Sequence, residues 1–334
     1  MKNVKWNIET VFAILLFLVL IIFPLSVKSP YLIDTAITVL LFAFLGNAWN
    51  ILGGLAGQAS LGQSAYYGIG AYVSTILLIK FGISPWLGMF IGAIIASIFA
   101  IIFGYPSLRL KGPYFVFFTI GFAESIRILF LTWDWVEGSR GIIFPYQPGL
   151  SRMMFADKQS YYYIILIFLV LGMGIYYLIQ NSKMGRYCIA IREDDIMAQA
   201  IGINTAKYKT YTFAVSAALM AIGGTFYAQY VLFIHPNDIM SLNNSVIFML
   251  IAVAGGIGRL FGPLIGALFI MPLWEYFRAT FGGRYVGLGI VFAGLIILII
   301  GTVAPYGVLG IWDNFKRRYF QSLQKGDGEN NARK

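Results

Sequence analysis

Long apolar runs recur along this chain, and they constrain its fold more than any other feature. They begin at Val11 and continue to Gly310, each close to the ~20 residues that cross a hydrocarbon core. Charged residues make up only 11% of the sequence, against about 25% in a soluble domain. The runs are continuous rather than alternating, which favours helices over a barrel. The sequence therefore predicts an all-α fold, a polytopic membrane helix bundle.

About ten transmembrane segments are predicted within residues 1–310, which would form one transmembrane domain, and a basic, polar tail follows at 311–334. The Gly-rich sequence GGIGRLFGP separates the eighth predicted segment from the ninth. This sequence leaves two alternatives open: a tight turn between two short spans, or a break within a re-entrant element. The chain could therefore also cross the membrane only eight or nine times. The predicted segments are 10–27, 31–52, 65–80, 86–104, 114–132, 161–180, 209–232, 244–258, 262–280 and 286–303.

The distribution of Lys and Arg predicts the orientation of these segments. With a cytoplasmic N-terminus, 15 of the 24 basic residues fall on the inner side and 7 on the outer side. Because cytoplasmic loops carry the excess of Lys and Arg, we expect both termini inside, an external loop at 133–160 and a cytoplasmic loop at 181–208. The net charge of +10 is thus explained by orientation in lipid, and no nucleic-acid partner is predicted.

A polar, glycine-rich stretch, AGQASLGQSAYYGIGAY at 56–72, interrupts the apolar sequence. Unpaired amide groups are costly in hydrocarbon, so they must bond to protein or line water. A Gly-interrupted segment at membrane depth is typical of a broken helix that forms a solute path. Two interpretations stay open, a solute path and simple helix packing. The candidate path residues are Asn50, Gln58, Ser60, Gln63 and Ser64.

Small residues at a spacing of four also predict a helix-packing seam. They are Gly88, Gly92, Ala96, Ala100 and Gly104. Side chains this small let helix backbones approach closely. We therefore expect this segment to pack tightly against its neighbours.

Two ionisable residues, Glu124 and Arg127, fall inside a predicted membrane segment. Residues three apart share one helix face, and pairing lowers the roughly 2.5–3.5 kcal/mol that a charge costs at mid-membrane on insertion scales. The sequence therefore predicts an intramembrane ion pair. It is either structural or part of a solute or gating network.

The cytoplasmic loop contains a short predicted helix at 193–202. An acidic start suits a helix N-terminus, and Gly202 suits its end. Its apolar face lies in a loop too small to form a domain, so we expect it to dock either on the membrane or on a cytoplasmic partner protein. The acidic start disfavours an anionic membrane surface. The residues that carry this prediction are Glu193, Asp194, Asp195, Ile196, Met197, Ala200 and Ile201, with Ala198 and Ala200 as the small residues of the docking face.

No constellation typical of an enzyme is visible. His235 is the only histidine, and neither C-x-x-C, H-E-x-x-H nor G-x-x-x-x-G-K-[ST] occurs. We therefore predict no catalytic residue, no metal site and no ATPase site in this chain.

Several motifs together resemble the LivM-type permease subunit of the branched-chain amino acid ABC transporter family. The resemblance covers nearly the whole chain except its tail. The motifs, in order, are GGLAGQASLGQSAYYGIGAY at 53–72, LKGPYFVFFTIGFAESIRILF at 110–130, SKMGRYCIAIREDDIMAQAIGINTAKYKTYTFAVSAALMAIGGTFYA at 182–228, PNDIMSLNNSVIFMLIAVAGGIGRLFGPLIGA at 236–267 and APYGVLG at 304–310.

The resemblance implies an ABC importer in a prokaryotic cytoplasmic membrane. It implies four partners: a second permease of LivH type, ATPase subunits of LivG and LivF type that bind the ATP, and an external solute-binding protein. It also implies that the segment 192–204, which begins at Arg192, is a coupling helix that meets an ATPase. No cofactor is expected in this chain itself.

Three alternatives remain at this stage. Relatives of the same build carry urea, amides or other amino acids, and this chain departs from many members of the family at Gln63 and Arg259. An ion-coupled secondary transporter is a second alternative, disfavoured by the scarcity of mid-membrane carboxylates. A membrane enzyme is a third, disfavoured by the lack of a catalytic constellation.

Overall fold

The computed structural model of this 334-residue chain describes residues 8–27, 29–108, 110, 112–281 and 307. The predicted tenth segment at 286–303 and the tail at 311–334 lie outside the described residues. Within the described part, the chain forms twelve α-helices and a sheet of two short strands. The predicted helical membrane bundle is confirmed, because six helices there are long and apolar enough to cross a membrane.

The helices are α1 (Ile8–Ser26), α2 (Pro30–Asn50), α3 (Gln63–Phe81), α4 (Pro85–Ser107), α5 (Pro113–Thr132), α6 (Lys158–Asn181), α7 (Lys183–Glu193), α8 (Asp195–Ala200), α9 (Thr205–Val231), α10 (Pro236–Ile239), α11 (Leu242–Gly255) and α12 (Gly262–Phe281). The strands are β1 (Ile142–Ile143) and β2 (Phe233–Ile234). Each of the first nine predicted segments corresponds to one of these helices. Four helices begin at a proline, whose missing N–H costs nothing in the first turn.

The apolar core is built around α2. This helix packs against α6, α9, α11 and α12, and 78% of its most apolar stretch, including the turn that follows it, is buried within the chain. In α5 the corresponding share is only 22%. The bundle therefore has a central helix, α2, and a peripheral one, α5.

The predicted packing seam is confirmed in α4, which packs between α3 and α9. A Cβ at Gly88 would lie 3.0 Å from the Cα of Ser74, and a Cβ at Gly92 would lie 3.3 Å from the Cα of Gly70. A Cβ at Gly104 would lie 2.6 Å from the ring of Phe213 on α9. The small residues thus let α4 approach both neighbours closely.

The sequence GGIGRLFGP forms a tight turn, residues 256–261, between α11 and α12. Gly256 and Gly258 have positive φ angles of 131° and 74°, which glycine adopts without steric cost. The helices cross closely beside the turn, since a Cβ at Gly266 would lie 3.0 Å from the nitrogen of Gly255. The segment is therefore a turn that joins two helices.

The loop 133–157 is ordered by contacts with three parts of the bundle. Its strand β1 pairs antiparallel with β2, with Ile142 opposite Ile234. The indole Nε1 of Trp86 at the start of α4 donates to the carbonyl of Leu150 at 2.8 Å. The ammonium of Lys80 at the end of α3 lies 4.0 Å from the ring centre of Trp135. The loop is therefore a fixed cap on one end of the bundle.

Candidate functional site

The helix α2 ends in a break. It passes directly into a π-helical turn at Ile51–Leu55, after which the chain leaves the helix. Gly53 permits this turn, because a Cβ there would lie 2.3 Å from the ring of Trp49. Trp49 in turn donates its indole Nε1 to the carbonyl of Ser60 at 2.8 Å. Wider turns of this kind are frequent at functional sites, and here the turn starts an irregular segment, 56–62.

The segment 56–62 is partly buried and bonds to three other parts of the chain. Gly54, just before it, lies beside α7, where it accepts a hydrogen bond from Arg192 at 2.8 Å. Ser64, just after it, donates its backbone N–H to the hydroxyl of Ser245, in the first turn of α11, at 2.9 Å. Between them, the nitrogen of Leu61 donates to the hydroxyl of Thr119 on α5 at 3.2 Å. The structure therefore contains a broken helix between α2 and α3.

Gln63 is the one candidate path residue whose side chain has no hydrogen-bond partner among the described residues. Its amide nitrogen and oxygen are both buried and both unpaired. A buried amide without a partner costs roughly 1–3 kcal/mol in protein mutational data. The adjacent Gln58 is half-buried and donates weakly, at 3.4 Å, to the carbonyl of Ala56. These two amides are thus the polar groups of the break that remain available to a solute or to water.

The other candidate path residues are hydrogen-bonded within the chain. The hydroxyl of Ser60 accepts from the nitrogen of Gly62 at 3.3 Å, and the hydroxyl of Ser64 donates to the carbonyl of Met240 at 3.3 Å. Asn50 is fully buried and accepts from the nitrogen of Gly258 at 2.8 Å. In this structure the two serines fix the shape of the break, and Asn50 fastens it to the turn 256–261.

The predicted ion pair between Glu124 and Arg127 is present on α5. The Nε of Arg127 lies 3.0 Å from Oε2 of Glu124, and a second guanidinium nitrogen bonds to the other carboxylate oxygen. The same guanidinium donates to Asn237 on α10. The Glu124 side chain remains 46% exposed. The pair therefore joins α5 to the segment before α11 and leaves a carboxylate facing outward.

The loop after α6 holds two helices where the sequence predicted one at 193–202. The helix α7 precedes the predicted position, and α8 is only six residues long. Asp194 caps α8 by accepting from the nitrogens of Ile196 and Met197 at 2.8 and 3.0 Å, as the acidic start predicted. Gly202 ends this helical turn with a φ of 86°. Arg192 and Glu193 thus belong to α7, and Asp195 begins α8.

The predicted apolar surface of α8 is exposed, but one residue assigned to it is not part of it. Ile196, Met197 and Ile201 are large apolar side chains on its surface, and Ala200 is exposed beside them. The assignment of Ala198 to this surface is wrong, because Ala198 is 2% exposed and faces the chain itself. A single turn and a half of helix is too short for sequence spacing to define its inner face reliably.

Two side-chain contacts tie α8 to the start of α9. The ammonium of Lys209 lies 3.1 Å from Oδ2 of Asp195. The amide of Gln199 donates to the hydroxyl of Thr205 at 3.0 Å. The side chain of Lys209 is only 5% exposed, so this carboxylate is the main partner of its ammonium group. These contacts therefore fasten α8 to the first turns of α9.

Sequence reasoning missed Trp49, Thr119 and Ser245, which hold the break in place. Each belongs to a helix that looks like an ordinary membrane segment. Ser245 donates its hydroxyl to that of Ser64 at 2.9 Å across 181 residues of sequence. The only signal in the sequence was their polarity at positions where a lipid-facing helix is apolar.

A bundle of long apolar helices, one of them broken by a polar segment and joined to helices outside the membrane segments, defines a membrane transport permease. The chain belongs to the family described as branched-chain amino acid transport system / permease component, whose model matches residues 31–301. This family consists of transport components rather than enzymes.

The curated relatives agree with this assignment. The chain is 28% identical to the high-affinity branched-chain amino acid transport system permease protein LivM of Escherichia coli, over 88% of this chain and 74% of that protein. It is 28% identical to the permease protein LivH of Salmonella typhimurium, over 80% of this chain and 91% of that protein. It is 26% identical to BraD of Pseudomonas aeruginosa, over 80% and 91% respectively. No solved structure matches the chain.

Proposed function

We propose that this chain is the LivM-type permease subunit of an ABC importer that carries branched-chain amino acids across a prokaryotic cytoplasmic membrane. The observation that carries the proposal is the family match across residues 31–301. The names of the relatives support the solute class. In this proposal the partners are a second permease of LivH type, two ATPases of LivG and LivF type that bind ATP, and an external solute-binding protein.

The exposed apolar surface of α8 is the proposed docking site for an ATPase subunit. Ile196, Met197 and Ile201 form an apolar patch outside the membrane segments, which a protein groove would cover. The acidic residues Asp194 and Asp195 at the start of α8 disfavour an anionic lipid surface as its partner. This placement requires the loop 181–208 and both termini to be cytoplasmic and the loop 133–160 to be external.

The proposed solute path passes the break between α2 and α3. Gln63 would offer its unpaired amide and Gln58 its weakly bonded amide to the solute, while Ser60, Ser64 and Asn50 keep the segment in shape. The support for this role is that Gln63 is buried and unpaired, a cost that a passing polar solute would offset.

Substitution tests the path. Replacing Gln63 with Leu removes two unpaired polar atoms from the interior, so we expect the complex to assemble normally while uptake falls at least tenfold. Gln58→Leu should lower uptake by a smaller factor, because that amide is half-buried. Gln159→Leu, at the start of α6, is the matched control and should leave uptake unchanged. Normal uptake by both Gln58 and Gln63 variants would reject the path.

A second permease is proposed to cover the outer face of α5. This helix is the least buried of the six candidate membrane helices, yet its surface carries Gly121, the carboxylate of Glu124 and Ser125. A carboxylate facing lipid is costly, whereas a protein partner or a water-filled path accommodates it. Both LivM and LivH proteins match this one chain, so two homologous permeases would form a pseudo-symmetric pair.

The test of the function is transport by the complete system. Purified permeases, ATPases and binding protein in liposomes should accumulate leucine only when ATP is inside with the ATPases. Competition by urea, short amides or other amino acids would identify the alternative solutes of the family. Uptake that needs no ATPase and follows an ion gradient would instead establish a secondary transporter.

A further inference from the structure

Three segments far apart in sequence meet beside the end of α2. The guanidinium of Arg192 at the end of α7 donates to the carbonyl of Gly54 in the π-helical turn at 2.8 Å. Its side chain also lies against the backbone at Gly57 and Gly258, because a Cβ at either position would lie 2.7 Å from an Arg192 atom. One side chain of the cytoplasmic loop thus contacts both Gly-rich breaks, the segment 56–62 and the turn 256–261.

Asn50 joins the same two breaks directly. Its amide oxygen accepts from the nitrogen of Gly258 at 2.8 Å, and its amide nitrogen donates to the carbonyl of Arg259 at 3.0 Å. The side chain is fully buried, so water cannot replace these bonds without entering the bundle. We call Asn50, Gly54, Gly57, Arg192 and Gly258 the inner junction.

The glycines of the inner junction allow the backbone segments to approach each other closely. A Cβ at Gly54 would lie 2.7 Å from the nitrogen of Gly258, which is backbone and cannot move aside. Gly57 and Gly258 also have positive φ angles of 68° and 74°, where other residues are strained. Gly307 is packed on the same turn, since a Cβ there would lie 2.6 Å from the Cα of Gly256. The junction is therefore tight enough to transmit a displacement rather than absorb it.

Arg192 is placed to receive such a displacement. It lies two residues before Asp194, which caps α8, and its other guanidinium nitrogen bonds to Glu193 at 2.9 Å. The side chain is 32% exposed, so it is held by specific bonds and not by complete burial. Arg192 therefore joins the end of α7, immediately before α8, to the carbonyl of Gly54.

We infer that Arg192 and Asn50 are positioning residues that transmit movement of α8 to both breaks of the permease. Arg192 links the docking helix to the π-helical turn, and Asn50 makes the turn 256–261 follow it. The inference rests on the proposed function and goes further, because it names the route from the docking surface to the broken helix. A second link, from Asp195 to Lys209, leads into α9 instead.

The test separates coupling from assembly in the reconstituted importer. In Arg192→Gln the planar charged group is lost, and we expect ATP hydrolysis to continue while solute moved per ATP falls at least tenfold. Arg186→Gln is the matched control, because Arg186 lies on α7 and bonds only to the carbonyl of Asn181 among the contacts that the structure gives it. That control should keep the wild-type ratio of solute moved to ATP hydrolysed. Asn50→Asp, which loses the donor to Arg259 and keeps the acceptor for Gly258, should lower the ratio by a smaller factor.

Each outcome decides the inference. An assembled Arg192→Gln complex with the wild-type ratio overturns it. If that variant fails to assemble, Arg192→Lys decides, because lysine keeps the charge and the stem but lacks the guanidinium geometry. A lowered ratio in Arg192→Lys supports the inference, and either a wild-type ratio or a second failure to assemble establishes a purely structural role. Failure of the proposed function is distinguishable, since the wild-type proteins would then show no ATP-driven uptake.

Discussion

Replacement of Asp195 by Asn should loosen α8 by a measurable amount. The carboxylate of Asp195 lies 3.1 Å from the ammonium of Lys209, whose side chain is 5% exposed. Removing one partner of a buried pair costs about 3–5 kcal/mol because the other charge is left uncompensated. Asp195 itself is 26% exposed and the lysine stem is flexible, so we take about 2 kcal/mol, below the range for full burial.

Hydrogen exchange of the α8 amides in detergent measures this loss. A local opening that is easier by about 2 kcal/mol raises exchange roughly 30-fold when opening and closing are fast. The sensitive amides are those of Ala198 and Ile201, which bond to the carbonyls of Asp194 and Met197. Lys207→Gln changes an exposed charge on the first turn of α9 and should alter exchange less than twofold.

The double variant Asp195→Asn with Lys209→Met provides the decisive comparison. It removes both charges, so it should restore exchange to within about threefold of wild type, because a buried pair replaced as a whole is often neutral. Exchange in Asp195→Asn that stays within twofold of wild type would refute the reasoning. So would a double variant that exchanges as fast as the single one.

Three further predictions concern the orientation of the loops, the two faces of α8 and the thiol of Cys188. Cysteines introduced at Ser139 and Ser182 should label oppositely with an impermeant thiol reagent on intact cells, with only the first labelled from outside; labelling of the second would reverse the orientation. Ala200→Arg should remove ATPase co-purification and uptake together while the permease still inserts. Ala198→Arg should instead destabilise the loop itself, because that site is buried, and equal behaviour of the two variants would contradict the assignment of faces. Burial raises the pKa of the Cys188 thiol to about 12, so its thiolate fraction at pH 8 is roughly 10⁻⁴ and maleimide labelling should appear only on unfolding; rapid labelling of the folded protein at pH 8 would show the thiol to be accessible.

The membrane helices could be predicted because their signal is local. Crossing a bilayer requires a minimum length of apolar sequence, and that length can be counted in one chain. The packing seam from Gly88 to Gly104 was predictable for the same reason, since its spacing of four repeats along a single helix. The polar stretch was also recognisable from the sequence, because Gln58 and Gln63 are unusual in a membrane helix.

The contacts that give the candidate site its shape could not be predicted from one sequence. Arg192 bonds to Gly54 across 138 residues, and Asn50 bonds to Gly258 across 208. No periodicity links such positions. The helix α7 was missed because its sequence, KMGRYCIAIRE, mixes charge with apolar residues in the manner of a solvated loop. The inner face of α8 depended on where the neighbouring segments lie.

The close packing of α3, α4 and α9 restricts how this permease can change its shape. The backbones of α3 and α9 are in direct contact. A Cβ at Gly70 on α3 would lie 2.4 Å from the Cα of Ala221 on α9, and a Cβ at Gly224 on α9 would lie 2.8 Å from the carbonyl carbon of Tyr67 on α3. Such contacts contain no layer of side chains that could change rotamer to accommodate sliding. We therefore expect these three helices to move together as one rigid body in any change of shape that accompanies transport.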